Sequence, residues 1–307
     1  MRNAIVTQLQ ELAQIHEDII LVTGDLGFRV LNNFENSFPE RFINAGISEQ
    51  NMTSVAAGMA LEGKKVFTYS IANFPTLRCL EQIRNDCAYH NADVKIIAVG
   101  AGFAYGALGM SHHATEDLAI MRALPQVVVF SPGDLTEAEE VLKLAYAHPG
   151  TCYLRVGKGG EARIHPKGTA ISFGKAVKVK NGKNIAIFST GSILEEAIRA
   201  AELLEADRMD AYVFSFPTVK PIDRNLIHEI ASEVDWVVTI EEHNILGGFG
   251  SAVAEVLTEI GYSNRARLLR IGLSDTYSSE IGSQSYLRDY YGLSAKKIFD
   301  RIKQSAI

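Results

Sequence analysis

Glu49 opens the run Glu49-Gln50-Asn51-Met52-Thr53-Ser54-Val55-Ala56-Ala57-Gly58-Met59, in which Met52, Val55, Ala56 and Met59 recur at i, i+3, i+4 and i+7. That spacing predicts a helix with one buried stripe, with Ser48 at its N-cap and Glu49 in its first turn. An acid there complements the helix dipole. Burial would raise its pKa while the helix N-terminus would lower it, so the two effects oppose each other. Downstream, Ser111-His112-His113 follows a glycine-rich stretch, and imidazole can hydrogen-bond hydroxyls or shuttle protons near neutral pH. Adjacent histidines seldom turn both rings to one ion and no third ligand is spaced nearby, so the pair is not read as a metal site. Arg155, in Cys152-Tyr153-Leu154-Arg155-Val156-Gly157, leaves a predicted strand with a bidentate fork that suits an anion.

These residues are carried by alternating elements. Ile19–Thr23, Lys65–Tyr69, Val94–Val99 and Gln126–Phe130 are short β-rich runs separated by helical patterns such as Asp134–Ala147. Alternation of this kind predicts a parallel sheet covered by helices. A second cycle, with strands at Ile185–Phe188, Asp210–Phe214 and Trp236–Ile240 and a helix at Ile193–Glu205, follows a stretch rich in Gly and Lys. The expected organisation is α/β throughout, with two three-layer domains at 1–165 and 184–307 joined by a linker at 166–183. At 307 residues each domain can bury its own core.

Composition narrows the function classes. The chain is 47% hydrophobic and 21% charged, and no apolar run approaches the roughly 18 residues of a membrane span. A net charge of −6 without a dense basic segment argues against nucleic acid as the main partner. Met1-Arg2-Asn3-Ala4-Ile5-Val6 shows no signal-peptide core, which predicts a cytoplasmic product. Cys79, Cys87 and Cys152 lack metal-ligand spacing and are expected to be reduced core residues.

Gly46-Ile47-Ser48-Glu49-Gln50 closely resembles the segment bearing the cofactor-activating glutamate in the pyrimidine-binding domain of transketolases and deoxyxylulose-phosphate synthases. Asp25, in Thr23-Gly24-Asp25-Leu26-Gly27, fits the family's preceding acidic turn, and Glu116–Pro125 fits its next signature. Phe216–Asp223 and Glu241–Gly250 resemble its C-terminal domain, so the likeness spans nearly the whole chain in the family's order. It implies thiamine diphosphate as cofactor, with Glu49 hydrogen-bonding the aminopyrimidine ring and Asp25 and Arg78 in the cofactor site. The protein's share of such chemistry is binding and orientation. Phe74 is the leading ring to stack on the aminopyrimidine and Tyr69 the second. A gap-free alignment on Arg78 puts Pro75, not Phe74, at the aromatic position. His112 matches the histidine of the family's Thr-His-Gln, which faces the donor sugar, and Arg155 matches an arginine that holds a sugar phosphate.

Departures from the family pattern bear on substrate and partner. Gly100 and Ala101 stand where a His or Arg is usual, and Leu108 replaces the aspartate of a Gly-acid-Asp-Gly loop. The Gly-Asp-Gly and asparagine-pair pattern that holds the cofactor's Mg²⁺ is missing from the sequence. The chain therefore looks like the C-terminal half of a split transketolase, with Mg²⁺ ligated mainly by an N-terminal-half partner in an α₂β₂ assembly. The implied activity is transfer of a two-carbon ketol unit from a ketose to an aldehyde, with modified sugars among the candidate donors. A 2-oxo acid dehydrogenase β subunit, a deoxyxylulose-phosphate synthase-like subunit and a non-catalytic regulatory subunit share the same plan.

Overall fold

The computed structural model describes residues 1–259 and 266–306. Its strands are β1 (Ile19–Thr23), β2 (Phe42–Asn44), β3 (Lys65–Ile71), β4 (Val94–Val99), β5 (Val128–Phe130), β6 (Cys152–Val156), β7 (Val177–Lys180), β8 (Ile185–Ser189), β9 (Ala211–Ser215), β10 (Thr218–Lys220), β11 (Trp236–Asn244) and β12 (Arg267–Leu273). Seven form one sheet in the order β10-β5-β6-β4-β3-β1-β2, parallel except for β10. Five form a second sheet, β12-β11-β8-β9-β7, parallel except for β7.

Continuous apolar runs such as Ile19–Thr23 are buried at every position because helices cover both faces of the sheet. Ile19 and Leu21 face one core, with Ile5 and Leu9 of the helix Arg2–Ile15 and Val141 of the helix Leu135–Ala147. Ile20 and Val22 face the other, with Met52 and Ala56 of the helix Glu49–Leu61. That second core continues into Phe188, Phe214 and Phe249 of the second domain, so the two domains share apolar packing. The two α/β domains expected from the alternation are thus present, and Cys79, Cys87 and Cys152 are free and buried.

Two boundaries differ from expectation. The span assigned to a linker, 166–183, contains β7, which pairs antiparallel with β9, so the second sheet begins before 184. Val177-Lys178-Val179-Lys180 is an edge strand carrying lysines, and such a strand gives little apolar signal. More telling is β10, which lies in the second domain's chain yet extends the first sheet, Thr218 opposite Phe130 and Lys220 opposite Val129. At three residues between Pro217 and Pro221 it suits an edge and nothing longer.

The helix Asp117–Ala123 is where the domains clasp. Leu118 N donates to His243 Nε2 at 3.1 Å, Asn244 N to Thr115 O at 2.8 Å, and Arg122 Nη1 to Gly247 O at 2.5 Å. Lys220 reaches back to the carbonyls of Arg122 and Leu124. Close approach requires glycine at 247, where a Cβ would stand 2.9 Å from that of Ala119. His243 has Nδ1 against Asn244 O at 2.7 Å, so Nε2 accepts and the ring is neutral. Burial pulls its pKa down from 6.5 to about 4.

A base depressed in the folded state stabilises fully above its unfolded pKa and progressively less as pH falls toward the folded one. The domain seam should therefore lose on the order of 2 kcal/mol between pH 7 and 5 from His243 alone. Urea unfolding at the two pH values should show the drop, and His243→Asn should flatten it. An unchanged slope in the variant would assign the acid sensitivity elsewhere.

Candidate active site

The chain's candidate residues collect at the C-terminal ends of the strands, where open α/β sheets bind ligands. Asp25 follows β1, Glu49 follows β2, Phe74 and Arg78 follow β3, and His112 follows β4. In-register pairing of Thr23 with both Asn44 and Tyr69 brings the first three loops to one edge. Asp25, at φ +56°, is locked to the next loop: its N–H donates to Asn44 Oδ1 at 2.9 Å and Asn44 Nδ2 donates to its Oδ1 at 3.0 Å. The same Asn44 oxygen accepts from Gly46 N.

Glu49 lies on the buried face of its helix. The buried residues are Glu49, Met52, Thr53, Ala56, Ala57 and Ala60, one helical stripe headed by the carboxyl itself. The expected stripe through Val55 is rotated by about one residue, and Val55 is 39% exposed. Ser48 holds the N-cap position without a side-chain cap hydrogen bond. An acid serving only the dipole would face solvent; Glu49 is 5% exposed. Among the described residues its carboxyl accepts only from Arg78 Nη1, at 3.2 Å to each oxygen. The Arg78 side chain, half exposed, also lies 4.1 Å over the Phe74 ring, and Phe74 meets His112 edge-on at 5.3 Å. Glu49, Arg78, Phe74 and His112 thus form one connected patch.

Phe74–Arg78 coils as a π-helical turn with Pro75 near its start. Such a turn holds one residue more than an α-turn, the size of the offset between Phe74 and the aromatic position counted from Arg78. Pro75 fits because the first turn needs no N–H there.

Two expectations are corrected. Tyr69 is 3% exposed, its ring enclosed among Phe67, Ile97 and Leu31, and burial holds its hydroxyl well above the usual range. It presents no face for stacking. Arg155 is 2% exposed and bonded through Nε, which donates to Asp117 Oδ2 at 2.8 Å, and Nη2, which donates to Ala114 O at 2.8 Å and Glu242 O at 3.0 Å. It is enclosed at the domain seam, so it is not an anion contact in this structure. His113 is likewise internal, with Nε2 3.2 Å from Gly106 O and its ring edge-on to Phe103.

Sequence reasoning missed Tyr105, Arg2 and Lys158. The ring of Tyr105 occupies the space over Gly100, where a Cβ would sit 2.3 Å from it, and lies 6.3 Å from the ring of His112. Lys158 Nζ stands 4.8 Å over the Tyr105 ring, and Arg2 lies beside it in the same cleft. Arg2, Tyr105, Leu108 and Lys158 line one open cleft of about 620 Å³. The missing side chain at Gly100 was the one sequence signal that a neighbour must fill that space.

Removing one partner of a buried ion pair costs roughly 3–5 kcal/mol. Arg155→Leu, which strands Asp117, should lower the melting temperature by roughly 5–10 °C. A variant melting like the parent would show the pair to be dispensable.

Comparison with known proteins agrees with this architecture. Residues 1–160 match the family model for the transketolase pyrimidine binding domain, and residues 174–298 match that for the transketolase C-terminal domain. A chain of Methanocaldococcus jannaschii named as a transketolase C-terminal section is 38% identical, covering 99% of this chain and 95% of that one. A subunit of an apulose-4-phosphate transketolase from Phocaeicola vulgatus is 33% identical over 97% of this chain and 94% of its own. A split gene transketolase, solved as an inactive β4 tetramer, superposes with a TM-score of 0.89 at 37% identity over 99% and 96% of the two chains. With both domain models matched in order, the clasped helix at their seam and relatives matched along nearly their whole length, the chain belongs to the transketolase family as a C-terminal section.

Proposed function

We propose that this chain is the C-terminal subunit of a split transketolase that moves a two-carbon ketol unit from a ketose to an aldehyde with thiamine diphosphate. The observation that carries the reading is the connected patch of Glu49, Arg78, Phe74 and His112. Its donor set fits the cofactor: a buried carboxyl to meet a ring nitrogen and an aromatic side chain beside it. When bound, thiamine diphosphate supplies the nucleophilic carbon that takes up the ketol unit.

In this reading Glu49 hydrogen-bonds the aminopyrimidine and exchanges a proton with it. Arg78 orients that carboxyl from its exposed side, and Phe74 offers its ring to the pyrimidine. Asp25, tied to Asn44, fixes the loop that closes beside the cofactor. His112, half-buried at the edge of Phe74, hydrogen-bonds the donor hydroxyls and passes protons. Mg²⁺ and the diphosphate fall to a partner chain, consistent with the sequence holding no Gly-Asp-Gly set, and an α₂β₂ heterotetramer follows as the active form.

Substrate choice is drawn from the cleft. Leu108, 55% exposed, offers no acceptor to a sugar hydroxyl. Arg2 and Lys158 bring two cations to the same cleft, beside the Tyr105 ring that His112 also approaches. This suits a donor anionic at its distal end and lacking, or differing in, the hydroxyl an aspartate would bind. One relative is named for apulose 4-phosphate, a phosphorylated sugar.

The deciding experiment is reconstitution. The chain alone should show no ketol transfer, and addition of an N-terminal-half partner with Mg²⁺ should restore it. Glu49→Gln in the assembled enzyme should slow cofactor C2 proton exchange by at least about a hundredfold, the lower range for a positioned acid–base group. Wild-type exchange in that variant would remove Glu49 from the role. Lys158→Ala and Arg2→Ala should each lower kcat/KM for a phosphorylated donor by roughly tenfold or more, mainly through KM. Equal loss with an uncharged donor would mean that neither residue meets the anion.

A further inference from the structure

Asp134, Glu137 and His165 converge at the start of the helix Leu135–Ala147, away from the patch around Glu49. The two carboxylates are fully enclosed and His165 is 6% exposed. One donor atom from each lies within 4.8 Å of the others. His165 Nδ1 is 3.3 Å from Asp134 Oδ2 and 3.7 Å from Glu137 Oε1. Neither ring nitrogen of His165 has a hydrogen-bond partner, and neither has Glu137 Oε1.

Those separations exceed the roughly 2.7–3.2 Å of good hydrogen bonds. They match the edge of a coordination tetrahedron: ligand bonds of about 2.1 Å put donor atoms about 3.4 Å apart. The rest of the shell is fixed by the backbone. Asp134 Oδ1 accepts from Glu137 N and Oδ2 from Ile164 N and His165 N, while Gly133 N donates to Glu137 Oε2. These donors orient both carboxylates; they take both lone pairs of Asp134 Oδ2 but leave one on Asp134 Oδ1, while Glu137 Oε1 accepts from no donor. The hydroxyl of Ser215, also without a hydrogen-bond partner, lies beside Gly133 and offers a further oxygen. Among the described residues no Lys or Arg forms an ion pair with Asp134 or Glu137, and the ion-pair partner of both is His165. Two enclosed acids with one imidazole leave room for a cation.

We propose that Asp134, Glu137 and His165 form a structural site for a divalent transition-metal ion of the Zn²⁺ class, which staples the segment after β6 to the first domain. Mixed imidazole and carboxylate ligation favours such an ion over Mg²⁺.

The test uses the full chain, stripped with a chelator and then titrated with ZnCl₂, MnCl₂ or MgCl₂. The expected result is one Zn²⁺ retained per chain after gel filtration and a melting temperature that rises with Zn²⁺ concentration. Glu137→Gln keeps an acceptor for Gly133 N and should fold, yet bind Zn²⁺ at least tenfold more weakly with no rise in melting temperature. His165→Asn should behave alike. A folded parent chain that retains no Zn²⁺ and melts identically with and without it would overturn the site, leaving His165 as a cation shared between two acids. Equal Zn²⁺ binding by Glu137→Gln, or preference for Mg²⁺, would overturn it as well.

Discussion

The arrangement depends on the enclosed charge of Arg155. Its guanidinium is satisfied only when three pieces of chain meet: Asp117 at the head of a helix, the carbonyl of Ala114, and the carbonyl of Glu242 on β11. Two belong to the first domain and one to the second. A buried charge short of partners costs several kcal/mol, so the pair admits one relative placement of the sheets and disfavours others. Tyr153 adds a hydroxyl to the same Asp117 oxygen at 2.8 Å, which ties β6 to the helix a second time.

From that seam the geometry of the patch follows. The helix Asp117–Ala123 is reached through the loop bearing His112, and the carbonyl of Ala114, one Arg155 acceptor, lies two residues beyond it. Asn73, just before Phe74, donates to Ser111 O at 3.2 Å and His113 O at 2.6 Å, so the loops after β3 and β4 are held against each other. The patch is therefore assembled from loops, but the loops are tied to one another by hydrogen bonds between the Asn44 and Asn73 side chains and neighbouring backbone. This is the support that a site needing precise placement of a cofactor ring requires. The clasp by the second domain gives that domain a positional role in a site to which it contributes cleft-lining residues such as Gln284.

Local chemistry was legible where a residue's role is set by its own neighbours in sequence. The strands β1, β3, β4, β8, β9 and β11 and the helices at 135–147 and 194–206 are strongly patterned and lie where the pattern puts them. Edge strands β7 and β10 were not, because lysines or flanking prolines erase the alternation. The one-residue rotation of the buried face at Glu49 also escaped the apolar pattern: Thr53 is buried and Val55 is not, reversing their hydropathies. Thr53 can be enclosed because its hydroxyl donates to Glu49 O at 2.9 Å.

By itself the sequence determined the class of fold and its two cycles, since strand and helix periodicity is local, while the grouping of Asp25, Glu49, Phe74, Arg78 and His112 was legible only through the resemblance of their motifs to a known family. Only the tertiary structure decided what each isolated cation and ring does. Arg155 and Tyr69 have the right types for anion and ring contacts, yet both are enclosed, because a side chain's surroundings come from strands distant in sequence. Arg2, Tyr105 and Lys158 lie far apart in the chain and share one cleft for the same reason. Solvent access is a property of the packed whole, and no local pattern encodes it.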